Sequence, residues 1–114
     1  MLKGLGALGD MTKMMKAAQE MQGKLAALQE ELGQIVVIGE AGGGTVKARV
    51  TAKGTVTGLD IDPSLLDPAQ KEVVEDLVVA AIRDAQNRAN DRAQTEMAKI
   101  AEELGIPAGT KLQF

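Results

Sequence analysis

Apolar residues in the first third of the chain recur at alternating three- and four-residue intervals. Met11, Ala18, Leu25 and Leu32 occupy one register, and Met14, Met21, Leu28 and Ile35 occupy the other. All eight therefore fall on one stripe of a helix, with Lys13, Lys16, Gln19, Glu20, Gln22, Lys24 and Glu30 off it. The spacing predicts a helix of about six turns, capped by Asp10 and ended near Gly33. Its narrow, methionine-rich seam suits packing against another helix, in this protomer's core or across a dimer. In residues 34–38 all but Gln34 are β-branched, so Ile35 closes the seam or opens a strand. The period then changes to two: Val46, Ala48, Val50 and Ala52 alternate with Thr45, Lys47, Arg49 and Thr51. That is a half-buried antiparallel strand, preceded by a glycine-rich turn over residues 39–44. Lys53-Gly54 turns the chain into a third strand over residues 55–62, with Thr57, Leu59 and Ile61 inward and Pro63 at its end.

The last segment carries the clearest helix signals. Asp67 caps, Pro68 takes the first helical position, and Gln70 completes a capping-box-like pair. The pattern runs to Leu104, with Gly105 just after it and Pro107 beyond. Val73, Val74, Leu77, Val78, Ala81 and Ile82 make a thick apolar face, and Met97, Ile100, Ala101 and Leu104 a smaller one. Between them, residues 83–96 are polar except for Ala85, Ala89 and Ala93 at every fourth place. A helix with such a middle is expected to project from its own domain or pair with another chain. The prediction is an α+β fold: α-β-β-β-α, with a three-stranded antiparallel meander and a long projecting C-terminal helix. It forms a single domain over residues 1–114, without internal repeats. Surplus apolar surface favours a homodimer.

Composition narrows the chemistry. The 114 residues include no His, Cys, Trp or Tyr, and the one Phe is Phe114. Histidine acid–base catalysis, thiol nucleophiles, N/S metal sites and aromatic stacking platforms are thereby excluded. The opening ten residues hold three glycines and Asp10, which breaks any signal-peptide core, and no stretch approaches the roughly 20 apolar residues of a membrane span. A cytoplasmic protein is expected.

Three constellations have residue types that could carry chemistry. Gly39 and Gly44 have phosphate-loop spacing, but Thr45-Val46 follow where Lys and Ser or Thr belong, so a hairpin loop is the reading. Asp60/Asp62, Glu75-Asp76 and Glu102-Glu103 lack the partners that an acid–base or metal site needs. No catalytic residue, metal site, cofactor or small-molecule substrate is expected, and the protein is not expected to be an enzyme. The basic residues remain. Residues 1–29 carry four lysines against two acids, whereas residues 67–114 carry six basic residues against nine acidic ones, within a net charge of -3. Arg88 and Arg92 share a helix face with Lys99, beside Asn87, Asn90, Gln86 and Gln94. Such a face either contacts phosphates or is simply solvated and laced by Asp84–Arg88 pairing.

Several segments together resemble the YbaB/EbfC family of bacterial nucleoid-associated proteins. They are Met14-Met15-Lys16-Ala17-Ala18-Gln19-Glu20-Met21-Gln22 in the first helix, the run from Gly39 to Lys47, Leu59-Asp60-Ile61-Asp62-Pro63-Ser64-Leu65-Leu66, and Leu77-Val78-Val79-Ala80-Ala81 with Asp84-Ala85. The resemblance implies a cytoplasmic, nucleoid-associated homodimer, shaped like tweezers, that binds double-stranded DNA and alters its conformation or compaction. It implies DNA contact through the first and last helices; the residues that fit are Lys3, Lys13 and Lys16, and Arg88, Arg92 and Lys99. Met11, Met14, Met21, Leu25 and Leu28 are the candidate dimer or core seam. The competing reading is a protein–protein interaction adaptor that does not bind DNA directly, since methionine stripes also serve adaptable docking surfaces.

Overall fold

The computed structural model describes the backbone of residues 2–105 and the side chains of residues 9–105. In chain order it contains helix α1 (Leu2–Gln34), strands β1 (Val36–Ala41), β2 (Val46–Thr51) and β3 (Val56–Ile61), two single-turn 3-10 segments (Pro63–Leu65 and Pro68–Gln70), and helix α2 (Lys71–Glu103). The strands form one antiparallel sheet in the order β1-β2-β3, the expected meander between two helices.

The alternation along β2 becomes the core. Val46, Ala48 and Val50 are fully buried on one face, against Ala81, Ala85 and Ala89 of α2. Helix α2 lies over β1 and β2, and the contact is close because both surfaces are built from small residues. At Gly39 of β1, a Cβ atom would collide with the backbone of Ala85 and with the Ala81 carbonyl. Only glycine lets helix and strand approach so nearly. Val37, Ala41, Ile61, Leu65, Leu77, Val78 and Ile82 fill the rim.

A second cluster holds the far end together. Leu28 and Leu32 of α1 pack with Ala52 and Met97, flanked by Leu25, Ile35, Ala93 and Ile100. The Ala52 amide donates to the Ile35 carbonyl at 2.9 Å, tying the α1–β1 junction to the end of β2. Ile35 thus serves the helix seam, and the strand begins one residue later.

Several local expectations are corrected. Asp10 is no cap: α1 is already helical from Leu2. Gly33 does not end α1 in a left-handed turn, for the Ile35 amide still donates to the Glu31 carbonyl at 3.1 Å. Residues 39–41 belong to β1, and the turn is confined to residues 42–45, where Gly42, Gly43 and Gly44 adopt φ of 63°, 68° and 89°. Glycine at 39 signals close packing, whereas glycine at 42–44 signals the turn. In β3, Thr57 and Leu59 are exposed, because α2 sits over the other two strands and a bulge at Arg49/Val50 shifts the register. Asp67 caps the short Pro68–Gln70 turn through the Ala69 amide at 3.0 Å, and α2 proper starts at Lys71. Gly105 does take the left-handed conformation, with φ of 70°; Pro107 lies outside the described residues.

The alanine middle of α2 is also corrected. It does not stand away from the sheet: Ala81, Ala85 and Ala89 are among the most buried residues described. Small side chains draw the helix down rather than leave it unsupported. The N-terminal half of α1 stands clear instead, with every described residue from Gly9 to Glu20 exposed. The radius of gyration is 21.6 Å and the long dimension 82 Å, against about 13 Å expected for the radius of a compact chain of this length.

Two substitutions test this packing. Gly39→Ala is expected to destabilise the protein by about 1–3 kcal/mol through overpacking. Gly23→Ala, at an exposed α1 position with nothing within 4 Å, is expected to stabilise it by about 0.5–1 kcal/mol. Urea unfolding checks both; equal effects would contradict the close contact.

Candidate nucleic-acid interface

Each cation singled out in the sequence has a definite environment except Lys3, whose side chain lies outside the described residues. Lys13 and Lys16 are exposed on the free half of α1, and no described carboxylate forms an ion pair with either. At 3.6 residues per turn they lie on roughly the opposite side of the helix from the Met11–Met14–Met21 stripe. The seam itself is split. Leu28 is buried and Leu25 packs beside it, Met21 is half-buried, and Met11 and Met14 remain 60% and 71% exposed.

The three candidate cations of α2 all meet acids on their own helix. Arg88 Nε donates to Asp84 Oδ2 at 3.1 Å, as the solvated-face reading expected. Arg92 Nε donates to Glu96 Oε1 at 3.0 Å, and Lys99 Nζ to the same oxygen at 3.2 Å. Arg88 and Arg92 line a groove between the edge of β1 and α2, with Val37, Ile38, Asp91 and Thr95. Lys99 lies in a second groove, between α1 and α2, that also contains Lys24, Glu31, Glu96 and Glu103. The structure therefore brings Arg92 and Lys99 together through Glu96, and keeps Lys13 and Lys16 apart from them on α1.

Two acids organise this face. Asp84 Oδ2 also accepts the Glu40 amide at 3.0 Å, satisfying an edge N–H of β1 while holding Arg88. That backbone hydrogen bond, assisted by Arg88, keeps the Asp84 carboxyl below its ordinary value. Glu96, only 8% exposed, is likewise held low by hydrogen bonds from Lys99 and Arg92. The Asp84–Arg88 pair is expected from the sequence, but the bond of Asp84 to Glu40 and the role of Glu96 are not. The i,i+4 spacing of Arg92 and Glu96 was there to find, whereas Asp84 reaching Glu40 across 44 positions left no local signal.

Other cations were also missed. Lys47 and Arg49 face outward from the sheet, Lys47 between Glu40 and Asp60 in the register, and the Arg49 guanidinium fills the space above Gly58. Lys24 bridges α1 to α2 through Glu103 at 2.9 Å. Among the described residues there is no group of three or more acids placed to hold a metal ion, and no helix long and apolar enough to cross a membrane.

The depressed carboxyls set a pH dependence. A carboxylate whose folded value lies below its unfolded one stabilises fully above the unfolded value and loses that contribution as pH falls through the folded one. Stability is therefore expected to fall as pH drops past the ordinary 4.5 of Glu96 and 3.8 of Asp84. In Glu96→Gln the fall is expected to be shallower, as followed by urea midpoints; an unchanged slope would contradict the pairing.

Comparison with known proteins gives concordant results. The sequence profile of the YbaB/EbfC DNA-binding family matches residues 8–104. A protein of Nitrobacter winogradskyi named nucleoid-associated protein is 46% identical over 102 residues, covering 90% of this chain and 96% of the relative. A Rhodopseudomonas palustris protein of the same name is 47% identical over 105 residues, covering 92% and 99%. The crystal structure of the uncharacterized protein HP0035 from Helicobacter pylori shares the fold, with a TM-score of 0.66 at 21% identity over 76% of this chain and 91% of that one.

Proposed function

The chain belongs to the YbaB/EbfC DNA-binding family, and from that premise we propose that it binds double-stranded DNA in the nucleoid as a homodimer. It does so mainly through phosphate contacts and alters DNA conformation or compaction. The observation that carries this reading is the two-sided N-terminal half of α1. One side presents Met11, Met14 and Met15 at 60–71% exposure, and roughly the opposite side presents Lys13 and Lys16 without paired acids among the described residues. Isolated helices in water are marginal, so a helix that leaves its own sheet needs a second surface to hold it. A second copy supplies one, burying the methionines and leaving the lysines outward.

The exposed area supports the same conclusion. The chain shows 8207 Å² to solvent, against about 5,900 Å² for a compact monomer of this mass. With a single Phe and no Trp or Tyr in the chain, recognition rests on charge and shape rather than on aromatic intercalation. Lys13, Lys16, Arg88, Arg92 and Lys99 are the described residues proposed to touch the duplex. The net charge of -3 is compatible with this, because phosphate responds to local charge, and Lys13 and Lys16 are exposed with no ion pair to a described carboxylate.

A salt-titrated mobility shift on duplex DNA tests the reading. With about four to eight phosphates contacted per dimer, log affinity is expected to fall with log salt at a slope of about −4 to −7. Lys13→Gln with Lys16→Gln removes four cations per dimer and is expected to flatten that slope by about 2–4. Arg88→Glu with Arg92→Glu is expected to lower affinity strongly. Failure of the wild-type protein to shift DNA at low salt, with a protein partner co-purifying, would favour the adaptor reading instead.

A further inference from the structure

Arg88 and Arg92 are held by their acids in the same way. Each donates from Nε, the nitrogen nearest the stem, and not from the terminal amino groups. A guanidinium carries five N–H donors in a rigid plane. Holding Nε therefore fixes the plane while leaving the four terminal N–H groups without a partner among the described residues. The acids that do the holding are themselves fixed. Asp84 is bound to the Glu40 amide at 3.0 Å, and Glu96 is 8% exposed and shared with Lys99. The helix under them is fixed too, since Ala85 and Ala89 lie flat against the sheet.

We propose that Asp84 and Glu96 are positioning residues for DNA: each tethers an arginine by Nε so that the terminal fork faces a backbone phosphate. This rests on the DNA-binding reading above. Arg88 and Arg92 are four residues apart on one face, so their Cα atoms stand about 6 Å apart along the helix axis. Arg88 leans back to Asp84 and Arg92 forward to Glu96, so the two forks stand further apart than that. A bidentate fork gives a phosphate both geometry and charge, which a freely rotating arginine gains only by losing side-chain entropy on binding. A carboxylate beside the site also repels phosphate, so each acid contributes two effects of opposite sign. Asp91 lines the same groove, forms no ion pair among the described residues and contributes repulsion.

Substitutions that change charge equally but differ in hydrogen bonding separate those effects. Glu96→Gln removes the charge and keeps an oxygen acceptor for Nε; Glu96→Ala removes the same charge and the acceptor. Duplex-DNA affinity at fixed salt is expected to be about threefold to tenfold weaker for E96A than for E96Q, the range of one net hydrogen bond. D84A and D84N are expected to differ in the same direction, with thermal unfolding confirming that each variant is folded at the assay temperature. If positioning acts through the cations, E96A and E96Q become equal in a background of Arg92→Gln with Lys99→Gln. Equal affinities of E96A and E96Q in the otherwise wild-type chain would overturn the proposal while leaving DNA binding intact. A difference that persists in the R92Q/K99Q background would also overturn it, by exposing a purely structural effect. Wild-type protein that binds no duplex at low salt would overturn the DNA-binding reading itself.

Discussion

The contact between α2 and the sheet at Gly39 is the constraint on which the rest of the structure depends. Ala81, Ala85 and Ala89 repeat every four residues and so form one narrow face. Ala48 and Gly39 offer equally little bulk on the strands. Two such surfaces meet almost backbone to backbone, which a core of leucines would not allow. The close approach has a consequence for charge. A helix seated on alanine needs only a thin stripe of its circumference for packing, so residues 83–96 carry arginines, acids and amides around the remainder without loss of the fold. Asp84 then bonds the β1 edge and fixes where the helix sits along the strand.

From that seat the two helices acquire different characters. Helix α2 is supported along the sheet and, through Met97 and Ile100, along the last turns of α1. Its cations are ordered by neighbouring acids. Helix α1 packs from about Leu25 onward, and its described residues from Gly9 to Glu20 are exposed, with methionines on one side and lysines on the other. In the DNA-binding reading the first helix supplies mobile lysine charge and dimer contact, and the second supplies oriented arginines. A modestly acidic chain can serve such a role because phosphate responds to local charge within about a Debye length, not to the sum over the molecule.

Much of this fold was legible in the sequence. The strict alternation from Val46 to Ala52 identified the central strand and its buried face, and Pro63 marked the end of the third strand, where Asp62 accepts the Ser64 amide. The glycine run marked the hairpin, because three successive left-handed residues leave few alternatives to glycine. What was not legible has a common physical origin. Alanine scores weakly as a hydrophobe, so a polar segment with alanine at every fourth place looked unsupported, although it is the tightest contact in the fold. Gly39 reads as turn-former in sequence and acts as a clearance in structure. Asp10 looked like a cap because a local signal does not show that the helix already runs from Leu2. For the interface, the candidate cations and the Asp84–Arg88 pair were visible in the sequence; the anchoring of Asp84 by Glu40 was not, since that strand lies far away in the chain, and Glu96 was passed over.

Hydrogen–deuterium exchange of the full-length protein tests the central claim most directly, because it measures how firmly each helix is held. If α2 is fixed by its small-residue contact, the amides of residues 81–89 exchange among the slowest in the chain, together with those of β2. The amides of residues 11–20 exchange faster at low protein concentration and slow as the concentration of the second copy rises. Exchange at residues 81–89 as fast as at residues 11–20 under dilute conditions would contradict the account.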